Sequence, residues 1–139
     1  IKTWNKTTPE YLSFKKMPVT WGPVHRLHAA MFYTVESIGS EQDLHAAIFS
    51  TMHNERNILS SEQAVTKFFG KVGVSSSDLS KYLNSFGVKQ RVNRAVELTK
   101  QLKVDSVPMI IVDGKYKVAA RDTALQTVDY LVERQKSES

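Results

Sequence analysis

Apolar residues follow two patterns along this chain: a helical one through the middle and an alternating one near the end. From Gly22 to Lys103 they recur three and four residues apart, the spacing that gathers side chains on one face of a helix. Gly22-Pro23 opens a first helix, with Pro at a first-turn position where its missing N–H costs nothing. Val24, Leu27, His28, Met31, Phe32 and Val35 form its stripe, and Gly39 ends it. A second helix is expected over Glu41 to His53, with Leu44, Ala47, Ile48, Phe49 and Met52 inward. Ser60-Ser61-Glu62 caps a third, which carries Ala64, Val65, Phe68 and Phe69 and breaks at Gly70 to Gly73. Ser75 to Asp78 caps a fourth, with Leu79, Tyr82, Leu83 and Phe86. A fifth starts near Gly87 and runs to Lys103. Five short helices with capped loops predict an α-bundle of about eighty residues.

The flanks read differently. Ile1 to Lys6 has the spacing of a helix's last turn, ended by Thr7-Thr8-Pro9. Tyr11 to Val19 alternates in part, with Leu12, Phe14 and Lys16 toward one side, and is expected to be a strand that stops at Met17-Pro18. Ser106-Val107-Pro108 leads into the apolar run Met109-Ile110-Ile111-Val112. Asp113-Gly114 then signals a hairpin, and Lys115 to Val118 alternates as the return strand. Asp122 and Thr123 are placed to cap a last helix with the stripe Leu125, Val128, Leu131 and Val132, whose polar tail from Glu133 is expected to fray.

Composition narrows the function classes. The chain has 139 residues, 41% hydrophobic and 24% charged, the make-up of an ordinary globular protein with one domain or one domain and an insertion. Its longest apolar run, Met109 to Val112, is a short strand's worth and far from a membrane span. The formal net charge is +5, and the densest basic stretch holds Lys89, Arg91, Arg94, Lys100 and Lys103, interleaved at helical spacing with Val88, Val92, Ala95, Val96 and Leu102. That interleaving predicts a solvated face of an amphipathic helix, not a nucleic-acid footprint. His25 and His28, three apart, with His45 and His53 are the candidate metal ligands; no cysteine joins them, Asp43 and Glu55 stand at no telling spacing, and no metal site is expected. The chain contains no cysteine, which excludes disulfides, thiolate metal sites and cysteine nucleophiles within these residues.

The order strand, helical block, Pro–strand–Asp-Gly–strand–helix carries a family likeness, and the local text agrees. Val104-Asp105-Ser106-Val107-Pro108-Met109-Ile110-Ile111-Val112-Asp113-Gly114-Lys115-Tyr116 resembles the "V-x-x-V/T-P, four apolar, x-G-K-Y" signature of the DsbA-like thiol-disulfide oxidoreductases. Met17-Pro18-Val19, Gly22, His25, Met31-Phe32, Glu36-Ser37 and Asn84-Ser85-Phe86 are similar to family members from Gram-negative bacteria, and the resemblance spans essentially the whole chain. It implies an α/β fold: a thioredoxin fold with an inserted α-helical domain, its amino-terminal strands and the start of the active-site helix missing. Residues 1–22 and 104–139 would form the partial thioredoxin-fold domain, and 23–103 the helical insertion.

The resemblance also implies a function. The intact protein would introduce disulfide bonds into exported proteins in the periplasm, using a Cys-x-x-Cys pair at a helix amino end, where the dipole lowers the thiol pKa. No cysteine here can serve, so the pair is expected upstream of Ile1, and this chain alone should be inactive. Val107-Pro108 would be the cis-proline turn whose backbone pairs with an extended substrate peptide, and Lys16 a neighbour of the active-site charge network. No cofactor beyond the cysteines is implied. The implied partners are folding exported proteins and a membrane-bound, quinone-linked protein that reoxidises the enzyme; the short Ala119-to-Asp122 loop would border the groove both use. In this family a central strand lies between Tyr11–Val19 and Met109–Val112, so the slot is expected to hold an amino-terminal fragment or a swapped strand, or to close by collapse of its edges. Two alternatives stay open: a glutathione-dependent enzyme of the kappa-transferase or isomerase type, and a cysteine-free peptide-binding module.

Overall fold

The computed structural model describes residues 3–39 and 41–139. A 3-10 turn, Trp4–Lys6, is followed by five helices: α1 (Pro23–Ile38), α2 (Glu41–His53), α3 (Glu62–Lys71), α4 (Ser76–Leu83) and α5 (Phe86–Gln101). A hairpin of β1 (Met109–Val112) and β2 (Tyr116–Ala119) and a last helix, α6 (Ala124–Glu138), complete the order. The chain divides into two compact units, Pro18–Gln101 and Ile1–Met17 with Leu102–Ser139.

The helical unit closes around one core of Met31, Val35, Leu44, Leu59, Val65, Phe68, Phe69 and Leu79. Its ends are built as the local chemistry dictates. Gly22 is extended at the amino cap of α1 with Pro23 next, and Gly39 terminates the helix at φ +83, a left-handed conformation that suits glycine. Ser61 and Ser75 each accept a hydrogen bond from the backbone N–H three residues on, Ala64 at 3.1 Å and Asp78 at 3.2 Å. Helix α1 is central, packing against α2, α4 and α5, and therefore buries more than one stripe: Ala29, Tyr33 and Thr34 are inside, while Val24 is exposed. Phe49, expected inward, lies outside and stacks on His53 with ring centroids 4.2 Å apart. Phe86 does not belong to the α4 stripe; it begins α5 and is exposed. Lys89, Arg91, Arg94 and Lys100 all lie on the solvated side of α5.

In the second unit the hairpin packs on α6 through Val112, Val118, Ala124, Val128 and Leu131. The strands pair antiparallel, Met109 with Ala119 through Val112 with Tyr116. Asp113 and Gly114 take φ +52 and +66 at the turn, the pair of positive φ angles that tight hairpins favour, and the Lys115 N–H donates to the Val112 carbonyl at 3.0 Å. Thr123 precedes α6 without a side-chain cap. The tail from Glu133 does not fray: Arg134 to Glu138 at 2.8 Å and Lys115 to Gln135 at 2.9 Å hold the last turns helical. At the other end, Trp4–Lys6 is a 3-10 turn rather than an α-helical one; Ile1 and Lys2 of the expected helix end lie outside the described residues.

One expected strand is not formed. Residues 12–20 have no regular secondary structure, although Leu12 and Phe14 alternate with the exposed Ser13 and Lys15 as a strand would. From Ser13 to Thr20 no backbone hydrogen bond forms among the described residues. A strand is defined by its ladder, and alternation alone stabilises little without a paired neighbour.

Candidate functional site

The sheet ends on an open edge. β1 pairs only with β2 among the described residues, so alternate N–H and C=O groups of Met109 to Val112 point away from the ladder. Between that edge and Tyr11 to Phe14 runs a groove of about 650 Å³, floored by Val128 and Val132 of α6. The two edges have not collapsed onto each other. Trp4 closes one part of the wall: its ring meets Phe14 edge-to-face at 5.7 Å, and its Nε1–H donates to Asp129 Oδ1 at 2.7 Å.

The rim of this groove is polar and self-paired. The Tyr11 hydroxyl donates to the Glu133 carboxylate, a bond that raises the phenol's pKa, and Lys136 Nζ lies 4.1 Å from the centre of the Tyr11 ring. Lys115 pairs with Asp113 at 3.0 Å, which raises its pKa, and Arg134 holds the Glu138 carboxyl below the usual range. These charges are exposed and fix the rim's shape more than they stabilise the fold. The groove therefore offers main-chain donors and acceptors on one wall and apolar side chains on its floor, the combination that accepts an extended strand.

Immediately before β1 the Val107–Pro108 peptide bond is cis. Val107 is 53% exposed, Pro108 is exposed, and the Val107 N–H and C=O make no hydrogen bond among the described residues. Proline at this point removes a donor only at the strand's entrance, where the ladder has not begun. Buried Val104 anchors the segment on one side and β1 on the other.

The remaining candidates take other roles. Lys16 is exposed and has no ion-pair partner among the described residues. His28 points its Nε2 at the carbonyls of Ile58 and Leu59, 2.9 and 3.2 Å away, so it donates there and ties α1 to the loop after α2. His25 packs edge-on against Trp21 and His45 is tilted on Phe32. No group of three potential ligands gathers to hold a metal among the described residues. The groove floor and the Tyr11–Glu133–Lys136 rim were not singled out by the sequence pattern. The α6 stripe marked the floor, but only the absence of a ladder along residues 12–20 exposes it as a groove.

Comparison with known proteins places these features in context. Residues 3–132 match the DSBA-like thioredoxin domain family. The thiol:disulfide interchange protein DsbA of Azotobacter vinelandii is 30% identical, aligned over 99% of this chain and 66% of its own length. DsbA of Burkholderia cepacia is 32% identical, over 96% of this chain and 66% of its own. The crystal structure of Pseudomonas aeruginosa DsbA superposes with a TM-score of 0.86 at 29% identity, covering 98% of this chain and 73% of that one. The chain thus spans just under two thirds of the length of these curated relatives.

Proposed function

This chain belongs to the DSBA-like thioredoxin domain family, and from that premise we propose that it is the peptide-binding portion of a periplasmic protein disulfide oxidoreductase. The observation that carries the reading is the exposed Val107–Pro108 turn, with the Val107 backbone groups unengaged, at the entrance to the open β1 edge. An extended substrate chain would pair with the Val107 N–H and C=O and lie beside the reacting sulfurs. The chemistry itself belongs to a Cys-x-x-Cys pair supplied outside these 139 residues, since the chain has no cysteine. A substrate thiolate attacks one sulfur of that oxidised pair and forms a mixed disulfide. A second substrate thiolate then attacks the bridging substrate sulfur, so the substrate leaves oxidised and the pair leaves as a dithiol. A membrane-bound, quinone-linked partner would reoxidise it, and Lys16 would contribute to the charge around the pair.

The same reading assigns the groove. Its wall of free β1 backbone and its apolar floor suit one further strand, contributed by the amino-terminal part of the intact protein or by a second copy. The family match favours this account over the glutathione-dependent and cysteine-free alternatives.

The test uses the intact protein and this chain side by side. The oxidised intact protein should form disulfides in a reduced, unfolded substrate protein, and this chain alone should not. A reduced peptide titrated into the isotope-labelled intact protein should shift the amides of Val107 and β1 first. Oxidation by the cysteine-free chain, or peptide shifts centred in the helical unit, would overturn the proposal.

A further inference from the structure

A second pocket lies wholly within the helical unit and has no part in the account above. It encloses about 380 Å³ between the carboxyl end of α2, the loop after it and the flank of α3 that carries Lys67, Phe68 and Lys71. That volume falls near the lower end of the range of about 300–1,000 Å³ typical of small-molecule sites.

Its lining is chemically divided. Lys67 and Lys71, one turn apart on α3, supply two ammonium groups, and neither has an ion-pair partner among the described residues. Glu55, on the loop, supplies a carboxylate that is likewise unpaired there. Opposite charges therefore line one pocket without neutralising each other. Phe68 and Val72 provide apolar surface, and Thr51, only 8% exposed, lines the pocket with a hydroxyl that makes no hydrogen bond among the described residues. Its oxygen keeps contact with solvent and offers a bound polar group a hydrogen-bond partner.

The loop that carries Glu55 is held in shape. Arg56 and Leu59 adopt φ +55 and +49, uncommon for residues other than glycine, asparagine and aspartate. Leu59 is fully buried, its N–H bonds the Asn57 side chain at 3.2 Å, and the Asn57 N–H bonds the Thr51 carbonyl at 3.1 Å. These bonds hold the loop segment that carries Glu55 and Asn57 at the pocket wall.

We propose that this pocket binds a small zwitterion with an apolar side chain, a free amino acid or dipeptide. Its carboxylate lies at Lys67 and Lys71, its ammonium group at Glu55, and its side chain on Phe68 and Val72. The Thr51 hydroxyl bonds the carboxylate or the neighbouring polar atom.

Three probes of equal carbon skeleton separate the contributions: L-leucine, L-leucinamide without the carboxylate, and 4-methylpentanoate without the ammonium group. Amide shifts of the labelled protein are followed as each is added to about 20 mM, a range that detects millimolar dissociation constants. L-leucine should give saturable shifts confined to residues 47–57 and 64–72, and each analogue should bind at least about tenfold more weakly. The double substitution Lys67→Gln with Lys71→Gln should abolish the leucine shifts, and Glu55→Gln should bring leucine down to the level of 4-methylpentanoate. Both changes are at exposed positions, so an unchanged thermal midpoint verifies that the variants fold. The absence of saturable shifts overturns the proposal, as does leucinamide or 4-methylpentanoate binding as well as leucine. Leucine shifts that persist in a folded double variant overturn it too.

Discussion

The two units of this molecule solve the same problem with different completeness. The helical unit buries eight apolar residues in one cluster, and its helices satisfy their own backbone groups. The sheet unit gathers five in its cluster and, among the described residues, leaves β1 with an open edge and residues 13–17 without backbone partners. The difference is one of bookkeeping at the level of hydrogen bonds: a helix closes its ladder within itself, whereas a strand borrows half of its ladder from a neighbour. A helix keeps its own ladder whatever lies beside it, whereas a strand without a neighbour leaves its outward groups open.

The largest effect should come from the more complete core. Phe69→Ala, at a fully buried position, should destabilise the helical unit by about 3–5 kcal/mol, seen as a lowered midpoint of far-UV circular dichroism in denaturant. In the sheet unit Leu131→Ala should cost about 2–3 kcal/mol because its site is smaller and partly open. If the units are as separate as their cores, the Leu131 change will speed hydrogen exchange in β1, β2 and α6 while leaving α1 to α5 unaltered. Equal acceleration in both would break the comparison. Ser75→Ala should cost about 1 kcal/mol by removing the cap of α4, with fraying confined to that helix's first turn by amide shifts.

The smallest effect is one of pH. Tyr33 of α1 has its phenol pKa raised, first by burial and then by the Glu36 carboxylate, with Arg91 opposing. A raised folded-state value means that this stabilisation is complete below the unfolded value, about 10, and is lost as pH rises through the folded one. Tyr33→Phe should therefore flatten the alkaline decline in thermal midpoint and leave the curve near neutrality unchanged. A variant with the same alkaline slope would show that Tyr33 does not set it.

Much of this architecture was legible in the residues, for reasons that differ by region. The helix caps at Ser61 and Ser75 and the Asp113-Gly114 turn are local chemistry, fixed within four residues, and they formed where the pattern placed them. The burial of Ala29, Tyr33 and Thr34 was not legible, because a central helix contacts several neighbours and a single stripe cannot describe it. Phe49 misled for the opposite reason: its spacing matched the α2 stripe, but it lies exposed against His53. Residues 11–19 carry a strand's partial alternation without a strand's partner among the described residues, which no local pattern reveals. Of the candidate site, Val107-Pro108 was marked by the family resemblance, since its place before the apolar run fits a plain trans proline equally well, and the structure makes that bond cis. The groove beside β1 belongs to the fold as a whole, since residues about a hundred positions apart line it.

Hydrogen exchange measured amide by amide on this chain and on the intact protein tests the central claim most directly. In this chain the outward amides of β1 and those of residues 13–20 should exchange far faster than the buried turns of α1, α3 and α5. In the intact protein proposed above, both sets should slow together if a further strand pairs between them. Protection of both edges already equal to the helical core in this chain alone would contradict the account.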